Sequence, residues 1–143
     1  MKTKFGNILF VVLSILSLIA CQNDDDNINE NLSGNYTGLF TVTYSDGTIF
    51  SNPVMVSLNT NNTYECIGYD YYIPAVGSGT YETNTTTINF TDQNIWTADF
   101  DWNLILNGTY NYTVTRDSLL LSASKNNVGL YEYQLVKTEL NIE

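Results

Sequence analysis

The chain has 143 residues, of which 15 are acidic and five are basic, so its formal net charge at pH 7 is −10. This acidity repels phosphate groups and predicts that nucleic acid is not a partner. Histidine is absent from the sequence, which excludes Ser-His-Asp and Cys-His catalysis and histidine-ligated zinc. An enzyme would have to use carboxylates, and the candidates Glu82, Asp99 and Asp101 have no identifiable partner acid. We therefore expect a protein without enzymatic activity, and we expect no metal or cofactor.

The beginning of the chain has the pattern of an export signal. Two basic residues, Lys2 and Lys4, precede an apolar run from Ile8 to Ala20 that is too short to span a membrane. Small Ala20 stands directly before Cys21. This arrangement resembles a bacterial lipoprotein signal, and the resemblance implies that Cys21 is lipidated and anchors the mature protein to a membrane. An ordinary secretory signal, in which Cys21 is incidental, is the alternative.

Polar residues follow the cysteine without apolar periodicity, which predicts a flexible tether. The triplet Asp24-Asp25-Asp26 resembles the export signal of certain Gram-negative lipoproteins, and it implies the outer face of the outer membrane. The alternative is that the triplet is only a solvated linker. The predicted organisation is a lipoprotein signal peptide over 1–20, a lipidated cysteine with an acidic tether over 21–33, and one domain over 34–143. Loss of Lys2 and Lys4 with the leader lowers the net charge from −10 to −12.

The remaining sequence alternates apolar and polar residues with a period of two, which predicts β-strands. Eight such runs follow one another, with the apolar side expected to face the core. Their core residues are Tyr36, Phe40, Val42 and Tyr44; Val54, Val56 and Leu58; Tyr64 and Cys66; Gly79 and Tyr81; Ile88 and Phe90; Leu106, Gly108, Tyr110, Tyr112 and Val114; Leu119, Leu121 and Ala123; and Tyr131, Tyr133 and Leu135. Pro53 should stand at an edge, a bulge or a strand start.

Mostly tight turns join these runs, so the prediction is an all-β, antiparallel eight-stranded meander that closes into a barrel. An open β-sandwich is the alternative. The repeated signatures Gly34-Asn35-Tyr36, Gly79-Thr80-Tyr81 and Gly108-Thr109-Tyr110, with a final strand through Tyr131, Tyr133, Leu135 and Lys137, resemble the lipocalin-like (calycin) barrels of small bacterial lipoproteins. The chain departs from secreted lipocalins at Tyr36, where their opening motif has tryptophan, and it lacks their disulfides. With Cys21 lipidated, Cys66 is predicted to be a buried apolar residue.

Two longer connections hold the candidate ligand-binding residues. One, from Asp92 to Asn103, contains Trp96, Asp99 and Trp102, and the other contains Tyr71 and Tyr72. Aromatic rings beside carboxylates and amides suit sugars, whereas the alternative is that the tryptophans close the barrel as core. We expect Trp102 to be part of the core and Trp96 to contact a ligand. If both connections lie at the same end of the barrel, we expect them to surround the entrance for a ligand.

Function is predicted at the level of a class. The leading hypothesis is a non-enzymatic, outer-membrane-anchored binding module for a small apolar ligand or a glycan. The alternative is an envelope interaction protein or enzyme inhibitor that acts through a loop. A hollow barrel favours the first hypothesis, and a filled barrel with a protruding loop favours the second.

Overall fold

The computed structural model describes residues 32–69, 72–97 and 99–138. The expected signal peptide, Cys21, the acidic triplet and Tyr71 lie outside the described residues. The strands are β1 (Gly34–Tyr44), β2 (Ile49–Leu58), β3 (Thr63–Gly68), β4 (Gly77–Thr83), β5 (Thr87–Asp92), β6 (Gly108–Thr115), β7 (Ser118–Lys125) and β8 (Gly129–Thr138). A short 3₁₀ helix (Trp102–Leu104) lies between β5 and β6.

All eight strands pair with their sequence neighbours in antiparallel fashion, and β8 also pairs with β1, so the sheet closes into a barrel. The closing ladder runs from Asn35↔Thr138 to Tyr44↔Gly129. The predicted meander barrel is therefore confirmed, and the open sandwich is not the fold. Eight strands enclose an interior that side chains can fill, and the topology is compatible with a lipocalin-like fold.

The inward face of each strand carries the apolar residues that the alternation predicted. The largest fully buried side chains are Tyr64, Tyr110, Tyr131, Tyr133, Phe40, Phe90, Leu58, Ile88, Leu106, Leu119, Leu121 and Leu135. They pack as one cluster in which aromatic rings meet edge-on, for example Tyr64 with Phe90 at 4.9 Å between centroids. Aromatic and aliphatic side chains thus fill the barrel interior.

Pro53 in β2 and Leu106 before β6 show where strand pairing begins in this sheet. Pro53 lies within β2 opposite Leu39 of β1, but the ladder from β2 to β3 begins only at Val54↔Gly68, as expected for a residue without an N–H donor. Leu106, predicted to begin the sixth strand, instead precedes β6. Its carbonyl oxygen accepts a hydrogen bond from the Tyr64 hydroxyl (2.6 Å), so Leu106 belongs to the connection before β6 while its side chain packs in the core cluster.

The meander sends its connections alternately to the two ends of the barrel. One end, which we call the loop end, is formed by the connections 45–48, 69–76, 93–107 and 126–128. The opposite end receives the chain at the start of β1 and has the short turns 59–62, 84–86 and 116–117. Both long connections therefore lie at the same end. Among the described residues, no helix is long and apolar enough to cross a membrane.

Candidate functional site

The two long connections contact each other through aromatic rings. Tyr72 stacks on Phe100 with centroids 4.9 Å apart and planes at 18°, and Trp96 meets the same Phe100 ring edge-on at 5.4 Å. Tyr72 has a φ of 64°, a left-handed conformation that a bulky side chain rarely adopts. Local backbone strain of this kind is held in place by surrounding packing and is concentrated at functional sites.

The structure corrects the expectation for one of the two tryptophans, Trp102. Trp96 is half-buried, and its indole N–H donates to Asp92 Oδ2. Trp102, expected in the core, is 58% exposed. The reason is the 3₁₀ turn, which directs Leu104 and Ile105 inward to cover the barrel and leaves Trp102 on its outer side.

Asp101 organises this turn. Its Oδ1 accepts from the Asn103 backbone N–H (3.0 Å) and side-chain amide (2.8 Å), and its Oδ2 accepts from the hydroxyls of Tyr44 and Tyr131 (3.1 Å each). Asp99, the carboxylate that the sequence analysis favoured, is exposed and lies outside this network. The Asp-x-Asn spacing was a usable signal for Asp101, because an aspartate often accepts from the backbone N–H two residues further on.

Lys125, at the last position of β7, ties the connection 93–107 to the barrel. Its ammonium donates to the carbonyl oxygens of Asn103 (3.0 Å) and Ile105 (3.1 Å), and it lies over the rings of Tyr110 and Tyr131 at 4.9 and 5.2 Å. Burial lowers the pKa of Lys125 to about 8, and the nearby Asp101 carboxylate partly opposes this shift. The sequence analysis did not single out this residue, because an inward lysine at a strand end has no motif.

A cleft opens in the wall beside this lysine, between the loop-end parts of β6 and β7. It has a volume of about 320 Å³ and is lined by Trp102, Asn103, Asn107, Thr109, Ser124 and Asn126 together with Gly108 and Lys125. The lining joins one large exposed ring to amides and hydroxyls. We name this cleft the β6–β7 notch.

Exposed apolar side chains are concentrated at the loop end. Of the eleven large ones that the described residues expose, eight lie there: Ile49, Phe50, Tyr69, Tyr72, Val76, Ile95, Trp102 and Leu130. Ile95 is the most accessible, at 93%. The loop end is therefore the candidate interaction surface, since exposed apolar side chains gathered at one place commonly mark such a surface.

Reactive groups lie away from this surface. Cys66 is buried, as predicted, and desolvation, with a smaller effect of Glu65, raises the pKa of its thiol to about 12. A thiol in this state is inert rather than nucleophilic. Within residues 32–69, 72–97 and 99–138, no three His, Cys, Asp or Glu side chains gather into a group that could hold a metal ion.

Two hydroxyls in the middle of the barrel are unusual. Those of Tyr110 and Tyr133 are buried, and among the described residues neither makes a well-aligned hydrogen bond, although the two hydroxyls interact with each other. Their rings meet edge-on at 5.8 Å. They belong to the filled interior and do not open onto the loop end.

The comparisons with known proteins identify no relative: no protein-family model, curated protein or solved structure matches this chain. The likeness to lipocalin-like barrels therefore rests on the eight-stranded closed topology.

Proposed function

We propose that the protein is a lipid-anchored, non-enzymatic binding module of the outer membrane, and that it binds a glycan at the loop end. The observation that carries this proposal is the concentration of exposed aromatic side chains beside amides and carboxylates at one end of the barrel. Sugar rings stack their C–H faces on such rings while their hydroxyls bond to the neighbouring polar groups.

The filled interior supports a surface site over a site inside the barrel. Four fully buried tyrosines, Tyr64, Tyr110, Tyr131 and Tyr133, occupy the space that a small apolar ligand would need. Leu104 and Leu106, from the connection 93–107, pack in the same core cluster. Entry of a ligand would require displacement of a close-packed core, which is costly. The barrel thus serves as a rigid support for the loop end.

The chain contains its own reporter for this proposal. Its two tryptophans, Trp96 and Trp102, both lie at the loop end. Titration of the soluble domain (residues 32–143) with neutral oligosaccharides should therefore change tryptophan fluorescence in a saturable way. A fluorescent fatty-acid analogue serves as the apolar probe and should not bind.

Substitutions test whether the saccharide binds at the loop end. Joint substitution of Tyr72→Ala and Trp102→Ala should weaken saccharide binding measured by calorimetry, whereas Leu120→Ala, an exposed apolar position on the barrel wall, should leave it unchanged. If no saccharide in the panel binds, or if the fatty-acid analogue binds instead, the glycan proposal is wrong.

The lipid anchor is the second part of the proposal and rests on the Ala20-Cys21 junction. Two or more acyl chains on one cysteine give stable membrane attachment. Cys21→Ala should abolish palmitate labelling and release the protein from the membrane fraction, whereas Cys66→Ala should retain both. Labelling that persists in Cys21→Ala would refute the anchor.

An N-terminal anchor would also orient the domain. The chain enters β1 at the end opposite the loop end, so an anchored barrel would present the loop end away from the lipid. Surface display follows from the acidic triplet. Joint substitution of Asp24, Asp25 and Asp26 by Asn should reduce protease cleavage of the domain on intact cells while total lipoprotein is constant. Equal cleavage of the variant and the unmodified protein would mean that the triplet acts only as a linker.

A partner protein is the second candidate for the loop end. The exposed Ile49, Val76 and Ile95 favour it, because aliphatic side chains offer a sugar neither a ring face nor a hydrogen bond, whereas exposed apolar surface is typical of protein contacts. A photo-crosslinking residue at position 95 should then yield one defined protein adduct in intact cells, and the same residue at position 120 should yield none.

A further inference from the structure

The barrel wall is incomplete at one place. The ladder between β6 and β7 runs from Thr115↔Ser118 to Asn111↔Ser122 and ends there. Both strands continue toward the loop end, β6 to Gly108 and β7 to Lys125. Their last residues therefore face each other without pairing, and this separation forms the β6–β7 notch.

The notch is a fixed feature of the fold, because the strand on each side of it is hydrogen-bonded to its other neighbour in the sheet. On one side, β6 stays paired with β5 as far as Gly108↔Phe90, and on the other, β7 stays paired with β8 as far as Lys125↔Gly129. The connection 93–107 is fastened across the notch by the Lys125 ammonium and by the Asn126 amide, which donates to Asn103 Oδ1 (3.0 Å). These contacts fix the width of the opening.

The lining of the notch combines neutral polar side chains with one aromatic ring. Its volume of about 320 Å³ lies at the lower end of the range for small-molecule pockets, about 300–1,000 Å³. Thr109 and Ser124 supply hydroxyls, Asn107 and Asn126 supply amides, and Trp102 supplies an exposed ring. Trp102 is the only large apolar side chain among these lining residues.

We propose that the β6–β7 notch is a subsite for one uncharged sugar residue, whose ring face stacks on Trp102 and whose hydroxyls bond to the amides and hydroxyls of the lining. This inference rests on the proposed glycan-binding function and assigns that function to one place. It also separates Trp102 from the cluster of Tyr72, Trp96 and Phe100, which contacts other parts of a longer ligand.

The charge distribution argues for an uncharged ligand. The domain is strongly acidic, and Lys125, the one cation of the notch, is occupied by two carbonyl oxygens and two tyrosine rings. Asp101 lies close to that ammonium. A carboxylate on the sugar would therefore enter a field that repels it.

A steric block tests the location. Ser124 is exposed at the notch, and Ser118 is exposed at the other end of the same strand. Ser124→Tyr should fill the notch and weaken binding of a neutral oligosaccharide by about tenfold or more, whereas the matched Ser118→Tyr should bind like the unmodified domain. Thermal unfolding midpoints of the two variants should agree, which shows that the block is local.

Substitution of the ring is the second, independent test. Trp102→Ala should weaken binding, measured by calorimetry, by about three- to tenfold, and Trp102→Phe should restore part of the loss. Because Trp102 is exposed, neither variant should unfold the domain. A uronic-acid oligosaccharide of the same linkage should bind more weakly than its neutral counterpart.

The outcomes separate this inference from the function on which it rests. If Ser124→Tyr and Trp102→Ala both bind normally while Tyr72→Ala does not, the notch is not the subsite, and the glycan function stands. If the uronic-acid oligosaccharide binds more tightly, the inference of an uncharged ligand is wrong. If no saccharide binds the unmodified domain, both proposals fail.

Discussion

Asp101 shows how much of the loop end depends on one side chain. Its carboxylate caps the 3₁₀ turn and accepts from the hydroxyls of Tyr44 and Tyr131, which belong to two strands of the closing ladder. A cap is worth about 1 kcal/mol and a hydrogen bond to a charged group about 1.5–3 kcal/mol. Asp101 is therefore a major contributor to the position of the connection 93–107, together with Lys125 and Asn126.

Asp101→Ala should lower the free energy of unfolding by about 2–4 kcal/mol, because it removes the cap and leaves two tyrosine hydroxyls without their acceptor. Asp99→Ala, an exposed position two residues earlier, should change it by less than about 0.5 kcal/mol. Urea unfolding of the two variants provides the comparison. Equal values would mean that the carboxylate network does not stabilise the fold.

Burial of Lys125 predicts that the free energy of unfolding depends on pH, and it predicts the direction of the change. Burial lowers its pKa from 10.5 to about 8, so between these values the unfolded chain binds the proton and the folded protein does not. Stability from this group therefore rises with pH across that window, by up to about 3 kcal/mol. Lys125→Met should remove the rise, and denaturation from pH 7 to 10 measures it. An identical pH profile in the variant would contradict the assignment.

At the scale of elements, β4 and β5 approach each other closely at Gly79. A Cβ atom added there would lie 1.9 Å from the Thr91 carbonyl oxygen, so the two strands would have to separate. Gly47, in the β1–β2 turn, has a φ of 86° and open space around it, so that only backbone strain opposes a side chain. A glycine within a strand is typical of such a close approach between backbones.

Gly79→Ala should destabilise the domain by about 3 kcal/mol, the upper part of the usual range for a forced backbone shift. Gly47→Ala should cost only about 1 kcal/mol, the usual price of a left-handed residue. Thermal or urea unfolding of both variants measures the difference. A smaller loss for Gly79→Ala than for Gly47→Ala would show that the strands separate easily.

At the scale of the whole molecule, the barrel interior contains several tyrosines whose phenol groups are removed from water. Desolvation raises the pKa of Tyr44 to about 12 and raises the pKa values of Tyr64, Tyr110, Tyr131 and Tyr133 further above their usual range. Unfolded tyrosines ionise at a pKa of about 10. Above that pH the unfolded chain loses protons that the folded protein keeps, so stability must fall as pH rises.

We therefore expect alkaline unfolding in which the part of the phenolate absorbance that comes from the buried tyrosines appears together with the loss of β-sheet circular dichroism. At pH values below about 10, stability from these groups should be fully present. Complete development of the phenolate absorbance while the sheet signal is intact would show that the interior tyrosines are accessible, and that the barrel is not filled as described.

The alternation of apolar and polar residues determined the strands, their inward faces and their order. Side chains alternate across a strand and tight turns force neighbours to pair, so this information is local. The sequence also indicated that the connections 69–76 and 93–107 matter. The signal peptide and the lipidated Cys21 remain predictions from the sequence.

Only the tertiary structure decided whether the barrel is filled, which tryptophan is exposed, and where the wall opens. These properties depend on contacts between residues that are distant in the chain. Asp101 meets hydroxyls from β1 and β8, Lys125 meets carbonyls from the connection 93–107, and the β6–β7 ladder ends before its strands do. The period-two pattern determines whether a strand residue points into or out of the barrel. The position of a loop residue depends instead on the residues that it contacts once the barrel has closed.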